Sequence, residues 1–138
     1  MNQIFIDTGF ILALVNKKDQ YHQKAIELAN KFESNSWLMT EAVLLEIGNA
    51  LARSYKQEAV EFIERSLASD EVEIVKISPY FFAKALGVYK SYTDKDWGLV
   101  DCFSFAVMGE KGVNRALSFD EHFVQAGFQV LKIDSPLI

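Results

Sequence analysis

The sequence predicts an α/β fold, a three-layer α/β/α sandwich with a mostly parallel central sheet. Short runs of β-favouring apolar residues recur at about 3–7, 36–40, 72–77, 115–119 and 129–133. The intervals between them carry helical patterns long enough to cross over to a parallel neighbour. No Pro/Gly/Ser-rich linker, low-complexity tract or internal repeat interrupts this alternation, so residues 1–138 read as a single domain. A chain of this length can bury roughly two-thirds of its unfolded surface and needs no disulfide or metal in order to fold.

The first strand, Ile4, Phe5 and Ile6, reads as buried on both faces, and Thr8-Gly9 turns the chain toward a helix starting near Phe10. Asp7 therefore stands at the carboxyl end of a buried strand. Such an acid is either a helix cap or, because ligands bind at that edge of open α/β sheets, part of a site. Asp19 is placed to cap the next helix, which contains Ala25, Ile26, Leu28 and Ala29. The strand at 36–40 is followed by a helix at 41–55 whose apolar arc is Val43, Ile47, Ala50 and Leu51. Glu46 lies on the shoulder of that arc beside Ala42, Asn49 and Arg53, which makes it either a solvated acid or one that reaches a cleft. Glu41, Glu58, Glu61 and Glu64 read as cap or solvated-face charges.

Ser78-Pro79 is a Ser cap followed by Pro in the first turn, and it opens a helix through Tyr92. The helix at 98–112 carries Leu99, Val100, Cys102, Phe103, Phe105, Ala106, Val107 and Met108 in all directions, so it is expected to be buried nearly all round. Asp101 falls in the middle of it. A buried carboxylate costs several kcal/mol, order of magnitude, unless a cation or good donors compensate. A first-turn position near the helix dipole, or a basic partner from elsewhere in the chain, is the structural alternative. Asp120 repeats the pattern of Asp7, with a short apolar strand, then the acid, then a short helix through Phe123. In a parallel sheet such strand ends share one edge, so these acids are expected to converge and to need a positive charge between them.

Oxygen-only ligands favour Mg²⁺ or Mn²⁺ over zinc. His22, in the first turns of a surface helix, and His122, just after Asp120, read as polar surface or cap-region residues. The single cysteine, Cys102, lies in an apolar stretch and reads as a small core residue, which excludes a disulfide framework and fits a reducing compartment. The opening Met-Asn-Gln lacks the pattern of a secretory signal, and the longest apolar run, 10–15, is far shorter than a spanning helix requires. A cytoplasmic protein without a membrane span is expected. With 14 basic and 19 acidic residues the net charge is −5, so attraction to a polyanion has to come from bound cations or a local basic patch. Lys17, Lys18, Arg53 and Lys56 are candidates for phosphate contacts, each with a solvated-surface alternative, and the substrate-binding residues are otherwise open.

With Asp7, Glu46, Asp101 and Asp120 in that order on those elements, the chain resembles a PIN domain, in particular the VapC-type ribonuclease toxins of prokaryotic toxin–antitoxin pairs. The resemblance extends over the opening IDTGFILALV, DQYHQKA, TEAVLLEIGNAL, VDCFSFAV and the closing ALSFDEHFVQAGFQVL. It implies a metal-dependent endoribonuclease that hydrolyses RNA phosphodiester bonds with Mg²⁺ or Mn²⁺. Asp7 would be the central metal ligand and Asp101 the second, with Glu46 and Asp120 completing or orienting the shell. Thr8 and Ser118 stand where the family often has supporting hydroxyls, and Asp96 is an additional contributor or a loop acid. Val100 departs from the Ser or Thr that often precedes the third acid, which bears on water or phosphate positioning and not on metal binding. The resemblance further implies a homodimer and a small antitoxin partner. Leu44, Leu45, Phe81 and Phe82 offer apolar surface for an interface. The rival reading is a non-catalytic PIN-like module that binds RNA or protein. Aspartyl-phosphate chemistry of the haloacid-dehalogenase type is set aside, because Gly9 stands where a second Asp is required.

Overall fold

A computed structural model describes residues 2–138. The chain runs β1 (Ile4–Ile6), α1 (Thr8–Val15), α2 (His22–Lys31), β2 (Trp37–Thr40), α3 (Glu41–Leu51), α4 (Lys56–Ala68), β3 (Val72–Val75), α5 (Pro79–Ser91), α6 (Leu99–Lys111), β4 (Arg115–Leu117), α7 (His122–Gln125) and β5 (Gln129–Val130). The strands form one sheet in the order β3-β2-β1-β4-β5, and every pairing is parallel. Helices flank this sheet, giving the layers that the sequence predicts, with a sheet parallel throughout rather than mostly so. Ile4 sits opposite Trp37, and Phe5 lies between Leu38 and Ala116.

The path of the chain decides where a site can form. From β1 it moves outward to β2 and β3, then returns past β1 to lay down β4 and β5. The carboxyl ends of the neighbouring strands β1 and β4 therefore diverge into connections that leave in opposite directions. That is the crevice in which open α/β sheets bind ligands. Ile4, Phe5 and Ile6 are all fully buried, as a strand covered on both faces requires. Around them close Phe10 and Ile11 of α1, Ile47 of α3, Met108 of α6 and Phe123 of α7. Each such side chain contributes about 1.5–3 kcal/mol by leaving water.

Several boundaries differ from those the sequence predicts, each for a local reason. Strand β3 stops at Val75 because the N–H of Ile77 leaves the ladder and donates to Glu41 Oε1 at 2.7 Å. Glu41 is thus a structural acceptor, while Thr40 caps α3 by accepting from the Val43 N–H. Strand β4 stops at Leu117 because Ser118 Oγ and Asp120 Oδ1 capture the following amides of Asp120 and His122. Short polar side chains compete in this way with ladder bonding. Strand β5 is only two residues long, although Leu131 still donates to Ala116 O at 3.0 Å.

Helix α3 ends at Leu51 and not at 55, and Ala50 is exposed rather than part of the apolar arc. Tyr55 breaks the helical run, and its hydroxyl donates to Asn16 Oδ1. Asp19 does not cap α2. It accepts from the Tyr21 N–H in the turn before the helix, which starts at His22. Ser78 caps α5 as expected, accepting from Phe81 N–H. Cys102 is fully buried in α6, consistent with a core role. Among the described residues, no helix is long and apolar enough to cross a membrane.

Candidate functional site

Asp7 occupies the N-cap position of α1, yet its side chain makes no cap hydrogen bond. Its Oδ2 instead accepts from Ser118 Oγ at 2.9 Å, across the switch point. The same hydroxyl oxygen accepts from the Asp120 N–H at 3.0 Å, so Ser118 ties the end of β1 to the loop after β4. Thr8, next in the chain, donates to Glu46 Oε1 at 2.6 Å and holds α3's acid against the start of α1. Each of the two hydroxyls donates to a carboxylate of the cleft and so fixes its orientation.

Asp101 lies in the first turn of α6, not in its middle. Its Oδ2 accepts from the Gly98 N–H at 3.2 Å, and the positive end of the helix favours it there. This accounts for an acid in an otherwise apolar helix without removing it from the site. The Asp101 side chain is four-fifths buried and faces His122, whose Nδ1 lies 2.8 Å from Asp101 Oδ2 and 3.3 Å from Asp120 Oδ2. His122 Nε2 reaches Asp96 Oδ1 at 3.3 Å. Asp96 therefore contacts His122 from an exposed loop and does not join the other acids directly.

His122 is the residue that sequence reasoning placed at a surface or cap and that the structure puts among three carboxylates. Asp101, Asp120 and His122 offer ligand atoms that all lie within 4.8 Å of one another. The available signal was its position two residues after Asp120, where the Asx turn at the end of β4 aims it back at the site. His22, by contrast, bonds the Ala13 carbonyl at 2.7 Å and fastens α2 to α1.

Asp7, Glu46, Asp101 and Asp120 line one cleft of about 990 Å³, together with Thr8, Asp19, Tyr21 and Phe119. Among the described residues no Lys or Arg makes an ion pair with these four acids or lines the cleft. Burial pushes the Asp7 carboxyl up to about 7. The Ser118 hydrogen bond opposes the shift, while the nearby charges of Asp101 and Asp120 add to it. Burial disfavours the His122 cation, but the hydrogen bond it donates to Asp101 and the charges of Asp120, Asp101 and Asp96 outweigh it and raise its pKa. Both shifts favour the protonated forms. The donor set of the site, mostly carboxylate oxygen with one imidazole, fits a hard divalent ion.

The PIN domain family matches residues 4–129. The chain belongs to this family. One relative of this PIN domain, the "23S rRNA-specific endonuclease VapC20" of Mycobacterium tuberculosis, is 31% identical over 126 residues, covering 91% of this chain and 95% of the relative. The crystal structure of M. tuberculosis VapC20, described as a sarcin–ricin loop cleaving toxin, superposes with a TM-score of 0.84 at 30% identity, covering 94% of this chain and 98% of that one. FitAcB of Neisseria gonorrhoeae and VapBC2 of Rickettsia felis bound to a promoter DNA fragment each superpose with a TM-score of 0.63 at 13% identity. Each of these comparisons covers 94% of this chain and 97% of the other, and shows a shared fold.

Two surface expectations change. Leu44 is 8% exposed and Phe81 is half-buried against Phe103, so both belong to the core of this PIN domain. Leu45 and Phe82 do lie on the surface, at 61% and 47% exposed, beside Ile77 and Leu99. Val100 lines the apolar groove between these residues rather than the acidic cleft, so it offers the site neither a hydroxyl nor a charge. Lys17, Lys18, Arg53 and Lys56 are exposed and lie outside the residues lining the cleft.

Proposed function

We propose that residues 1–138 act as one PIN domain, a divalent-metal-dependent endoribonuclease that is the toxin of a toxin–antitoxin pair and cuts ribosomal RNA. The observation that carries this reading is the convergence of Asp7, Glu46, Asp101 and Asp120 on one cleft without a Lys or Arg among them. The kinship with VapC20 supports ribosomal RNA as the target. Asp7, Asp101 and Asp120, with Glu46 on the α3 wall, are the residues we assign to Mg²⁺ or Mn²⁺. A divalent ion held by them would lower the pKa of a water and neutralise charge on the phosphodiester. Ser118 keeps the Asp7 carboxylate aimed across the switch point, Thr8 does the same for Glu46, and His122 holds Asp101 and Asp120 side by side. Such pre-set carboxylates spare the site reorganisation when substrate arrives.

The test is incubation of purified ribosomes and of total RNA with the protein in Mn²⁺, in Mg²⁺ and in chelator, with primer extension across 23S rRNA. One discrete cut that disappears in chelator is expected. Cleavage indifferent to chelator would reject the metal reading, tight RNA binding without cleavage would favour the non-catalytic module, and cutting of transfer RNA alone would remove the ribosomal assignment.

Metal uptake is expected to depend on pH. Protons on Asp7 and His122 have to leave before a cation can replace them. Because both pKa values are raised, Mn²⁺ affinity is expected to increase roughly tenfold or more from pH 6 to pH 8, with protons released on binding. Calorimetry in buffers of different ionisation enthalpy measures both quantities, and an affinity flat over this range would argue against the assignment.

The VapBC2 structure among the fold neighbours supports a small antitoxin as partner, and a ribosomal RNA substrate supports a cytoplasmic location. For the homodimer, the surface we assign is the patch of Leu45, Ile77, Phe82 and Leu99. Leu45→Glu is expected to convert a dimer into a monomer in size exclusion with light scattering. A wild-type protein that stays monomeric at every concentration would remove the dimer.

A further inference from the structure

Beside the carboxylates, the cleft is lined by two aromatic rings, Tyr21 and Phe119, that metal chemistry does not use, and a third, Phe10, backs them from the core. Phe10 is fully buried. The Phe119 ring stacks on it with centroids 5.8 Å apart and planes 25° apart. Tyr21 stacks on Phe119 at 4.5 Å and 12°, and is itself 38% exposed. The three rings thus form a column that begins in the core and ends in an exposed ring, one side of which is taken by Phe119. Its middle member is joined to the site by the chain, since Phe119 lies between Ser118, bonded to Asp7, and Asp120.

The exposed ring is also held in place. Asn16 Oδ1 accepts from the Lys18 N–H, Asp19 N–H donates to Asn16 O, and Asp19 Oδ1 accepts from the Tyr21 N–H. His22 N–H closes the turn on Asp19 O at 3.0 Å. A ring fixed in this way loses little freedom on binding. Its surroundings select what binds it. Among the described residues Asp19 and Glu121 line the same cleft and no Lys or Arg does, so a phosphate is disfavoured there without a bound cation. The uncharged face of a nucleobase is not. Unpaired bases stack on aromatic side chains with little regard to sequence, whereas paired bases keep their faces covered.

We propose that Tyr21, backed by Phe119 and Phe10, is the stacking platform for one unpaired nucleobase of the RNA, next to the phosphodiester held at the acidic cluster. The proposal rests on the ribonuclease reading and adds to it the side chain that holds a base beside the cut. Tyr21 is a binding residue here, so its loss raises KM and leaves kcat largely in place.

The experiment uses a short unpaired RNA that carries a fluorescent adenine analogue quenched by stacking. Wild type, Tyr21→Phe and Tyr21→Leu are each titrated against it in Ca²⁺, and their cleavage of unlabelled RNA is followed in Mn²⁺. Saturable quenching is expected for wild type and Tyr21→Phe, with affinity weakened roughly tenfold and the quench lost in Tyr21→Leu. Leucine keeps an apolar contact on Phe119 but offers no aromatic face, and melting curves of the three proteins report any structural loss separately from the quench. Equal affinity and equal quench in Tyr21→Leu would overturn the platform even if cleavage is intact. Quenching by wild type without any cleavage would overturn the nuclease and keep the platform, and absence of both would overturn both.

Discussion

Asp7→Asn is expected to abolish Mn²⁺-dependent cleavage and, at the same time, to make the metal-free protein harder to unfold at pH 8. The first effect follows from removing the carboxylate that faces the cleft from the end of β1. Losing about 3 kcal/mol of transition-state stabilisation lowers the rate more than a hundredfold. The second follows from burial. The Asp7 carboxyl titrates near 7 in the folded protein against 3.8 when free, so between those values the folded state binds more protons than the unfolded one. Stability therefore falls as pH rises through this window, because the carboxylate must ionise inside the cleft. Asparagine cannot ionise and escapes the loss.

The three-unit displacement sets a ceiling of about 4 kcal/mol on the gain. A gain on the order of 2 kcal/mol is expected, because the new Nδ2 donor must find an acceptor of its own. Mn²⁺ should raise the melting temperature of the wild type and not of the variant, since only a state that binds the ion is stabilised by it. Melting curves at pH 5 and pH 8, with and without Mn²⁺, separate these effects. A variant that still cuts RNA, or that still gains stability from Mn²⁺, would show that Asp7 is not the central ligand.

Phe123→Ala is expected to remove about 3–5 kcal/mol of stability. Phe123 is fully buried, packs edge-on against Phe105 at 5.1 Å and lies 5.8 Å from Phe5 of β1. Truncation leaves a cavity between the sheet and α6 that rigid neighbours cannot fill. With total stability commonly 5–15 kcal/mol, the variant would be marginal at ambient temperature. The consequence reaches the site, because α7 is only four residues long and Phe123 is its buried anchor. His122 and the Asp120 turn are held by the same short helix. Phe123→Leu should recover most of the stability and of the Mn²⁺ affinity. Urea midpoints for the two variants test this, and a loss under about 1 kcal/mol for the alanine would show that the pocket collapses without cost.

The elements of this fold were legible because their signals are local. Three contiguous apolar residues before Asp7, a Ser-Pro start at 78–79 and an all-round apolar helix at 99–108 depend only on near neighbours in sequence. The acids were legible for the same reason, since a carboxylate next to a buried run is visible without knowing what faces it. Their individual surroundings were not. For Asp101 the sequence left a first-turn position, a basic partner and a site role open, because its contacts with the Gly98 amide and with His122 are set by the fold. Glu41 read as a cap or solvated-face charge because its partner, the Ile77 amide, is on the far side of the β2–β3 crossover.

By itself, then, the order of residues determined which segments are strands and helices, which carboxylates border the core, and hence the family chemistry they serve. Only the tertiary structure decided that β4 lies beside β1, that Ser118 joins Asp7 to the Asp120 loop, that His122 stands among Asp96, Asp101 and Asp120, and that Tyr21 ends an aromatic column. The reason is physical. Period and hydrophobicity act between residues a few positions apart, whereas strand order and side-chain encounters are set by which long-range packing best fills the core.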